Sequence, residues 1–345
     1  MDAPAPPPED GSPRRGGVND PVRLDPLDAL YAAFVATLPE ALRDVGRSLP
    51  VILRLAPTVD VPWSQVFSNE ITLGAPALVA EGMPGLAPEV TRQAGLAHLL
   101  AIIEAFGTDR LLDGQIAAAP ELDAVLGHAR RARDVALADV VRLVTDPGPE
   151  LSYARAEDET ATAIRAEHAL FRSGEAVGWS RYLSVSHAKQ RLGLPASLAL
   201  ARAAGWDARR CRALGRMLDA VWIGLQLHDD VVDWEDDLSR GGAWAASLAA
   251  QVPLRVDPRD RKTIPVSARR LVHESGALRR MLEQSARSFR AARRRAAALG
   301  LGRLSAWARE REIQVGELAR REIASPGHTN RAHALSAWAR TVLPE

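Results

Sequence analysis

The sequence predicts an all-α protein: a single large helical bundle of about ten helices behind a short tail. Three observations carry this. Ala, Leu and Arg dominate, and apolar residues recur at spacings of three and four along most of the 345 residues. Alternating runs of Val, Ile and Tyr, the mark of half-buried strands, do not occur, and aromatic residues are only 5%. Gly and Pro gather at Pro57-Thr-Val-Asp-Val-Pro62, Gly82-Met-Pro84-Gly85, Asp146-Pro-Gly-Pro149, Gly193-Leu-Pro195 and Gly205, cutting the pattern into helix-sized pieces.

In chain order, residues 1–25 are rich in Pro, Gly and acids, a composition that cannot bury a core, and are expected to be a disordered tail. Residues 26–345 are then one all-helical domain. Helices are expected at about 26–48, 63–82, 87–113, 120–143, 154–172, 174–192, 195–204, 207–235, 266–299 and 301–324. The segment 251–265, with Pro253, Pro258 and Pro265, is expected to be a loop.

Apolar residues make up 47% of the chain, enough for a sizeable core, and charged residues 25%. A formal net charge of +1 offers no field for nucleic acid or an anionic membrane. Cys211 is the single cysteine, which excludes an internal disulfide framework and a Cys-rich zinc site. The N-terminus lacks the apolar region of a signal peptide, and no apolar run reaches the roughly 20 residues of a membrane span. A cytoplasmic protein is the expectation.

The chemistry concentrates in Gln226-Leu-His-Asp229-Asp230-Val-Val-Asp233-Trp-Glu-Asp236-Asp237. Asp229, Asp233 and Asp237 are four apart, so on a helix they share a face, flanked by Asp230 and Asp236. The stretch Leu214–Gln226 before them is mostly apolar and reads as buried. A buried helix ending in like charges needs a counter-charge. Hard oxygen ligands at this spacing suit Mg²⁺, which binds one or two carboxylates together with water and phosphate oxygens. That combination suggests a diphosphate site; the competing reading is a solvated helix end balanced by Arg240.

The stretch Ile223-Gly-Leu-Gln-Leu-His-Asp-Asp-Val-Val-Asp-Trp-Glu-Asp-Asp resembles the second aspartate-rich motif of trans-polyprenyl diphosphate synthases. It is also similar to the corresponding segment of squalene and phytoene synthases, with Asp233 and Asp237 matching. These are class I isoprenoid synthases. The likeness is local to residues 223–242, and by order and spacing extends over about 60–320. It implies a bundle around a central apolar cavity, a prenyl diphosphate substrate and Mg²⁺, three ions in all. Members carry a second acidic motif on an opposed helix. The candidate is Asp109 and Asp113 in Ala105-Phe-Gly-Thr-Asp109-Arg-Leu-Leu-Asp113, 120 residues before Asp229 and Asp233, after an apolar helix that ends in Glu104-Ala-Phe106. Alone, this pair reads equally as a solvated helix end.

The resemblance thus implies metal ligation by Asp109, Asp113, Asp229, Asp230, Asp233 and Asp237, with Asp109, Asp113, Asp229 and Asp233 catalytic. Lys189, 40 residues before Asp229, stands where prenyl synthases place a lysine on the diphosphate; Gln226 and Arg240 are further diphosphate contacts. The competing reading of Lys189 is a surface cation. Lys262 is a candidate in a lid-like loop. Phe106, Trp179, Trp222 and Trp234 are candidate walls for a carbocation, or ordinary core. A homodimer is the implied assembly.

The chain departs from the condensing members of this group. Val45-Gly-Arg-Ser-Leu-Pro-Val-Ile-Leu-Arg54 lacks their lysine, and Gly-Gln-Ile-Ala-Ala-Ala-Pro120 follows Asp113 where Arg-Arg-Gly would stand. Both segments bind the second diphosphate. The expectation is therefore a class I terpene synthase-like enzyme: Mg-dependent ionisation of an allylic prenyl diphosphate, then cyclisation, elimination or transfer. The alternatives are a trans-polyprenyl diphosphate synthase, a head-to-head squalene- or phytoene-type synthase, and a non-catalytic helical partner subunit. Thr108, standing where a further Asp is usual, supports the last.

Overall fold

Sixteen α-helices and three short 3-10 turns, with no strand, make up the regular structure of the described residues. The computed structural model describes residues 25–67, 69–112, 114–173, 175–240, 242–253 and 264–324, with side chains to 322. The predicted tail before residue 25, the candidate ligand Asp113 and the candidate lid residue Lys262 lie outside these residues.

The first helices are α1 (Pro26–Thr37), α2 (Arg43–Arg47), α3 (Leu49–Ile52), α4 (Trp63–Val66) and α5 (Ile71–Ala80). Asp25 caps α1 by accepting from the Leu27 amide at 2.8 Å. Pro39 stops it early, because the residue before a proline is pushed out of the helical region, and Leu38 is extended at ψ 149°. The expected 26–48 helix is thus three pieces. The expected 63–82 helix is likewise divided, at Phe67–Glu70.

Two long helices follow, α6 (Pro88–Leu112) and α7 (Pro120–Val141), packed side by side. Then come α8 (Tyr153–Arg172), α9 (Trp179–Lys189), α10 (Pro195–Ala203) and α11 (Ala208–Val232). Asp207 caps α11 through the Arg210 amide at 2.7 Å. The expected continuous helix to residue 235 instead breaks at Asp233 (φ −101°, ψ 8°), and α12 (Trp234–Arg240) begins anew. The last described helices are α13 (Trp244–Ala250), α14 (Val266–Glu274), α15 (Ala277–Leu299) and α16 (Gly302–Ala324). Gly276, at φ +70°, separates α14 from α15, so the predicted 266–299 helix is two.

The apolar stripes face one another in two adjoining cores. The smaller is built by α1, α3, α4, α6 and α7 with Leu73 of α5, the larger by α5 to α16. Within the larger core α11 lies along α15, and α15 along α16. Gly224 permits the close approach of α11 and α15: a Cβ there would stand 2.9 Å from the Phe289 ring, and the Ser285 hydroxyl donates to the Gly224 carbonyl at 2.6 Å. No helix among the described residues is long and apolar enough to cross a membrane.

Candidate metal and diphosphate site

The two acidic motifs sit on helices that meet through side chains. His98 on α6 stacks on Trp222 of α11, ring centroids 6.2 Å apart and planes at 25°. His98 donates from Nε2 to the Thr72 carbonyl at 3.0 Å, and burial lowers its pKa to about 4, so the ring is neutral. Asp109 lies eleven residues beyond His98, and Asp233 eleven beyond Trp222. At 1.5 Å per residue both acidic segments stand about 16 Å from the stacked pair. Lys189 joins them: its ammonium lies within the electrostatic reach of Asp109 and of Asp229, Asp230 and Asp237. His98 and Trp222 close the gap between α6 and α11 three turns away.

The end of α11 carries the carboxylates in different settings. Asp230 is buried, Asp237 half-buried, and Asp229 and Asp233 are open to solvent. Desolvation by the surrounding protein first, then Asp233, Asp230 and Asp237, pushes the Asp229 pKa up to about 8 although the residue keeps contact with solvent. Burial raises Asp230 to about 7 against the hydrogen bonds that it accepts, and Asp237 to about 6 against Arg240. Asp233 is raised as well, by burial and then by Asp236. The cluster holds more negative charge than its surroundings neutralise.

Each of the three expected diphosphate contacts has a partner within the protein. Arg240 donates to Asp237 at 2.6 Å. Gln226 donates to Asp230 Oδ1 at 2.8 Å and accepts from Gln190 at 2.7 Å. Tyr182 donates to Asp230 Oδ2 at 2.5 Å, so both oxygens of Asp230 are engaged. Lys189 donates to Glu167 Oε2 at 2.6 Å, and Glu167 Oε1 accepts from the Trp244 indole. His228, beside Asp229, is held neutral by burial and by Arg311, its pKa lowered to about 4.

Glu167 and Trp244 were not among the residues expected at the site. Glu167 left one signal: it stands on the buried face of α8 with Tyr153, Ala156, Thr160, Ala163, Ile164 and Leu170, where a lone carboxylate needs a partner. Trp244 left none. The expected aromatics are spread: Phe106 contacts Phe67 at 5.0 Å, Trp179 meets Tyr182 at 5.9 Å, and Trp234 packs edge-on to His273 at 6.1 Å. Glu104 turns toward α7, where it pairs with Arg130 and, at 2.7 Å, with the buried Arg133. A cavity of about 980 Å³ opens between α8 and α9, lined by Arg155, Arg181, His187 and Arg191 among others; neither acidic motif borders it.

The residues fit a hard divalent cation. The donors are carboxylate oxygens, and the raised pKa values report a field that a cation would relieve. Among the described residues no three His, Cys, Asp or Glu side chains converge into a ready-made cage. Mg²⁺, which keeps waters and takes substrate phosphate oxygens, does not require one.

No family model and no curated protein matches the sequence. Solved structures do. A geranylgeranyl pyrophosphate synthase from Lactobacillus brevis is similar at a TM-score of 0.62 and 14% identity, over 84% of this chain and 96% of that one. A geranyltranstransferase from Methanosarcina mazei is similar at 0.51 and 13% identity, over 84% and 96%. A polyprenyl synthase from Caulobacter crescentus, complexed with calcium and isoprenyl diphosphate, is similar at 0.50 and 20% identity, over 86% and 98%. The chain has the class I isoprenoid synthase fold.

Proposed function

We propose that the protein is a divalent-metal-dependent enzyme that ionises an allylic prenyl diphosphate. The observation that carries this is Lys189, whose ammonium interacts electrostatically with Asp109 of the first motif and with Asp229, Asp230 and Asp237 of the second. In this reading Asp109, Asp113, Asp229, Asp233 and Asp237 hold Mg²⁺, Lys189 and Arg240 contact the diphosphate, and Asp230, engaged by Tyr182 and Gln226, fixes the end of α11. Bound divalent ions supply neutralisation of the charge that builds on the leaving diphosphate as the C–O bond breaks.

The fate of that cation is cyclisation, elimination or transfer to an acceptor without a diphosphate. The support is in the sequence, where neither the lysine nor the Arg-Arg-Gly of the condensing members stands in residues 45–54 or directly after Asp113. Arg47 is paired with Asp44, and Arg130 and Arg133 are engaged by Glu104 and Glu157. Incubation with Mg²⁺ and geranyl, farnesyl or geranylgeranyl diphosphate is expected to release pyrophosphate. No release at any chain length would sink the proposal.

Chain elongation is the second reading. It is favoured by the likeness to synthases named for geranylgeranyl and polyprenyl products, one of them holding isoprenyl diphosphate. A product that lengthens only when isopentenyl diphosphate is added would decide for it. Sedimentation of the intact protein tests the homodimer implied by the resemblance.

A further inference from the structure

Lys189 closes α9, and its side chain is 22% exposed. An ammonium has three N–H donors on a flexible stem, so it holds one direction only if something fixes it. One donor goes to Glu167 Oε2 at 2.6 Å. Glu167 cannot turn away, because its other oxygen accepts from the Trp244 indole N–H and its side chain is only 10% exposed. Trp244 is hemmed in turn, its ring centroid 5.2 Å from Phe171 and 4.9 Å from Tyr182. Phe171 is seated against Gly242, where a Cβ would stand 2.8 Å from the ring. Tyr182 completes the set by holding Asp230.

The indole, the carboxylate and the ammonium therefore form a chain of two charge-assisted hydrogen bonds that begins on α13, crosses α8 and ends at the acidic motifs. Without Glu167, the nearest counter-charges of Lys189 would be the aspartates themselves, and the ammonium would settle on one of them. With one donor held by Glu167, the ammonium has donors left to turn toward Asp109 and the α11 carboxylates, with which it interacts electrostatically.

We propose that Glu167, fixed by Trp244, is a positioning residue that aims the Lys189 ammonium at the diphosphate of the substrate; this rests on the reading of the site given above. Glu167 touches neither substrate nor metal and acts only through Lys189. A pair that merely neutralised a buried lysine would stabilise the fold and have no effect on diphosphate binding.

The test uses the full chain with Mg²⁺ and inorganic pyrophosphate, read by titration calorimetry, beside prenyl diphosphate turnover. Glu167→Gln is expected to weaken pyrophosphate binding about tenfold, the worth of one charge-assisted hydrogen bond, and to lower kcat in the same direction. Glu167→Asp, which restores charge at shorter reach, is expected to recover part of both. Trp244→Phe keeps the ring and removes only the N–H, so it reports on orientation even if Glu167→Gln fails to fold; a smaller loss of the same kind is expected. Folded Glu167→Gln or Trp244→Phe protein with wild-type affinity and kcat would overturn the proposal. If Lys189→Met loses pyrophosphate binding while folded Glu167→Gln keeps it, the proposal falls and the site reading stands; if Lys189→Met binds as wild type does, the diphosphate role of Lys189 falls as well. If folded wild type binds no Mg–pyrophosphate, both fall.

Discussion

The Tyr182 hydroxyl donates to Asp230 Oδ2 at 2.5 Å and ties α9 to the acidic end of α11 across 48 residues of sequence. Both groups are buried, so the bond replaces solvation that neither can recover. Tyr182→Phe keeps the ring against Trp244 and removes the donor. It is expected to cost about 1–3 kcal/mol, the usual penalty for stranding a buried acceptor. Urea unfolding measures it, and an unchanged midpoint would show the bond to be dispensable.

The raised carboxylates set a pH dependence. Asp229 at about 8, Asp230 at about 7 and Asp237 at about 6 all lie above the ordinary 3.8, so the folded chain holds protons that the unfolded chain has lost. In that window the unfolded state binds fewer protons, and stability falls as pH rises. Above the ordinary 6.5 of histidine, where unfolded His98 and His228 are already neutral, the metal-free protein is expected to melt at a higher temperature near about pH 6.5 than near about pH 8. Mg²⁺ binds the deprotonated form, so the Tm gain on adding it should grow over the same range. A Tm that rises toward about pH 8 without metal would contradict the assigned shifts.

Asp229→Asn separates stability from activity. The change removes one charge from a cluster in which Asp229 is raised by burial and by three other aspartates. The metal-free Tm is expected to rise slightly, because the like-charge strain is relieved. Pyrophosphate release and its Mg²⁺ dependence are expected to vanish, as they are for Asp109→Asn. Release at the wild-type rate from Asp229→Asn would remove Asp229 from the ligand set.

The ion cluster behind the first motif is a purely structural counterpart. Arg133, 1% exposed, is held by Glu104 on α6 and by Glu157 on α8, and its guanidinium lies 4.8 Å from the centroid of the Tyr153 ring. Glu104→Gln leaves a buried cation short of charge. The expected loss is about 3 kcal/mol, at the low end for a broken buried pair because Glu157 and Asp134 remain. Chemical denaturation measures it. Restoration by Arg133→Met in the same background would show that desolvation of the cation causes the loss.

Helical class and the position of most helices were legible because apolar spacing of three and four is written directly into residues such as Ala94–Phe106 and Leu214–Gln226. The break at Asp233 was not, because no Gly or Pro marks it. Gly276 was present but read as an interior residue; only its left-handed conformation reveals the boundary. In the proposed site, Asp109, Lys189 and Asp229 are singled out because each belongs to a spaced motif. Glu167 and Trp244 are 77 residues apart and in separate helices, and their meeting is a product of tertiary packing. The Tyr182 hydroxyl reaches Asp230 by the same kind of packing, across 48 residues.

The interruption at Asp233 divides custody of the acidic segment. Asp229 belongs to α11, whose course is dictated by its long seam with α15 and by the Gly224–Phe289 contact. Asp237 belongs to α12, which leads into α13 and the anchored indole of Trp244. Neighbouring carboxylates in one short stretch of sequence thus inherit their coordinates from different foundations. A substitution beneath Phe289 would displace Asp229 while Asp237 stayed in place, whereas loosening Trp244 would do the reverse.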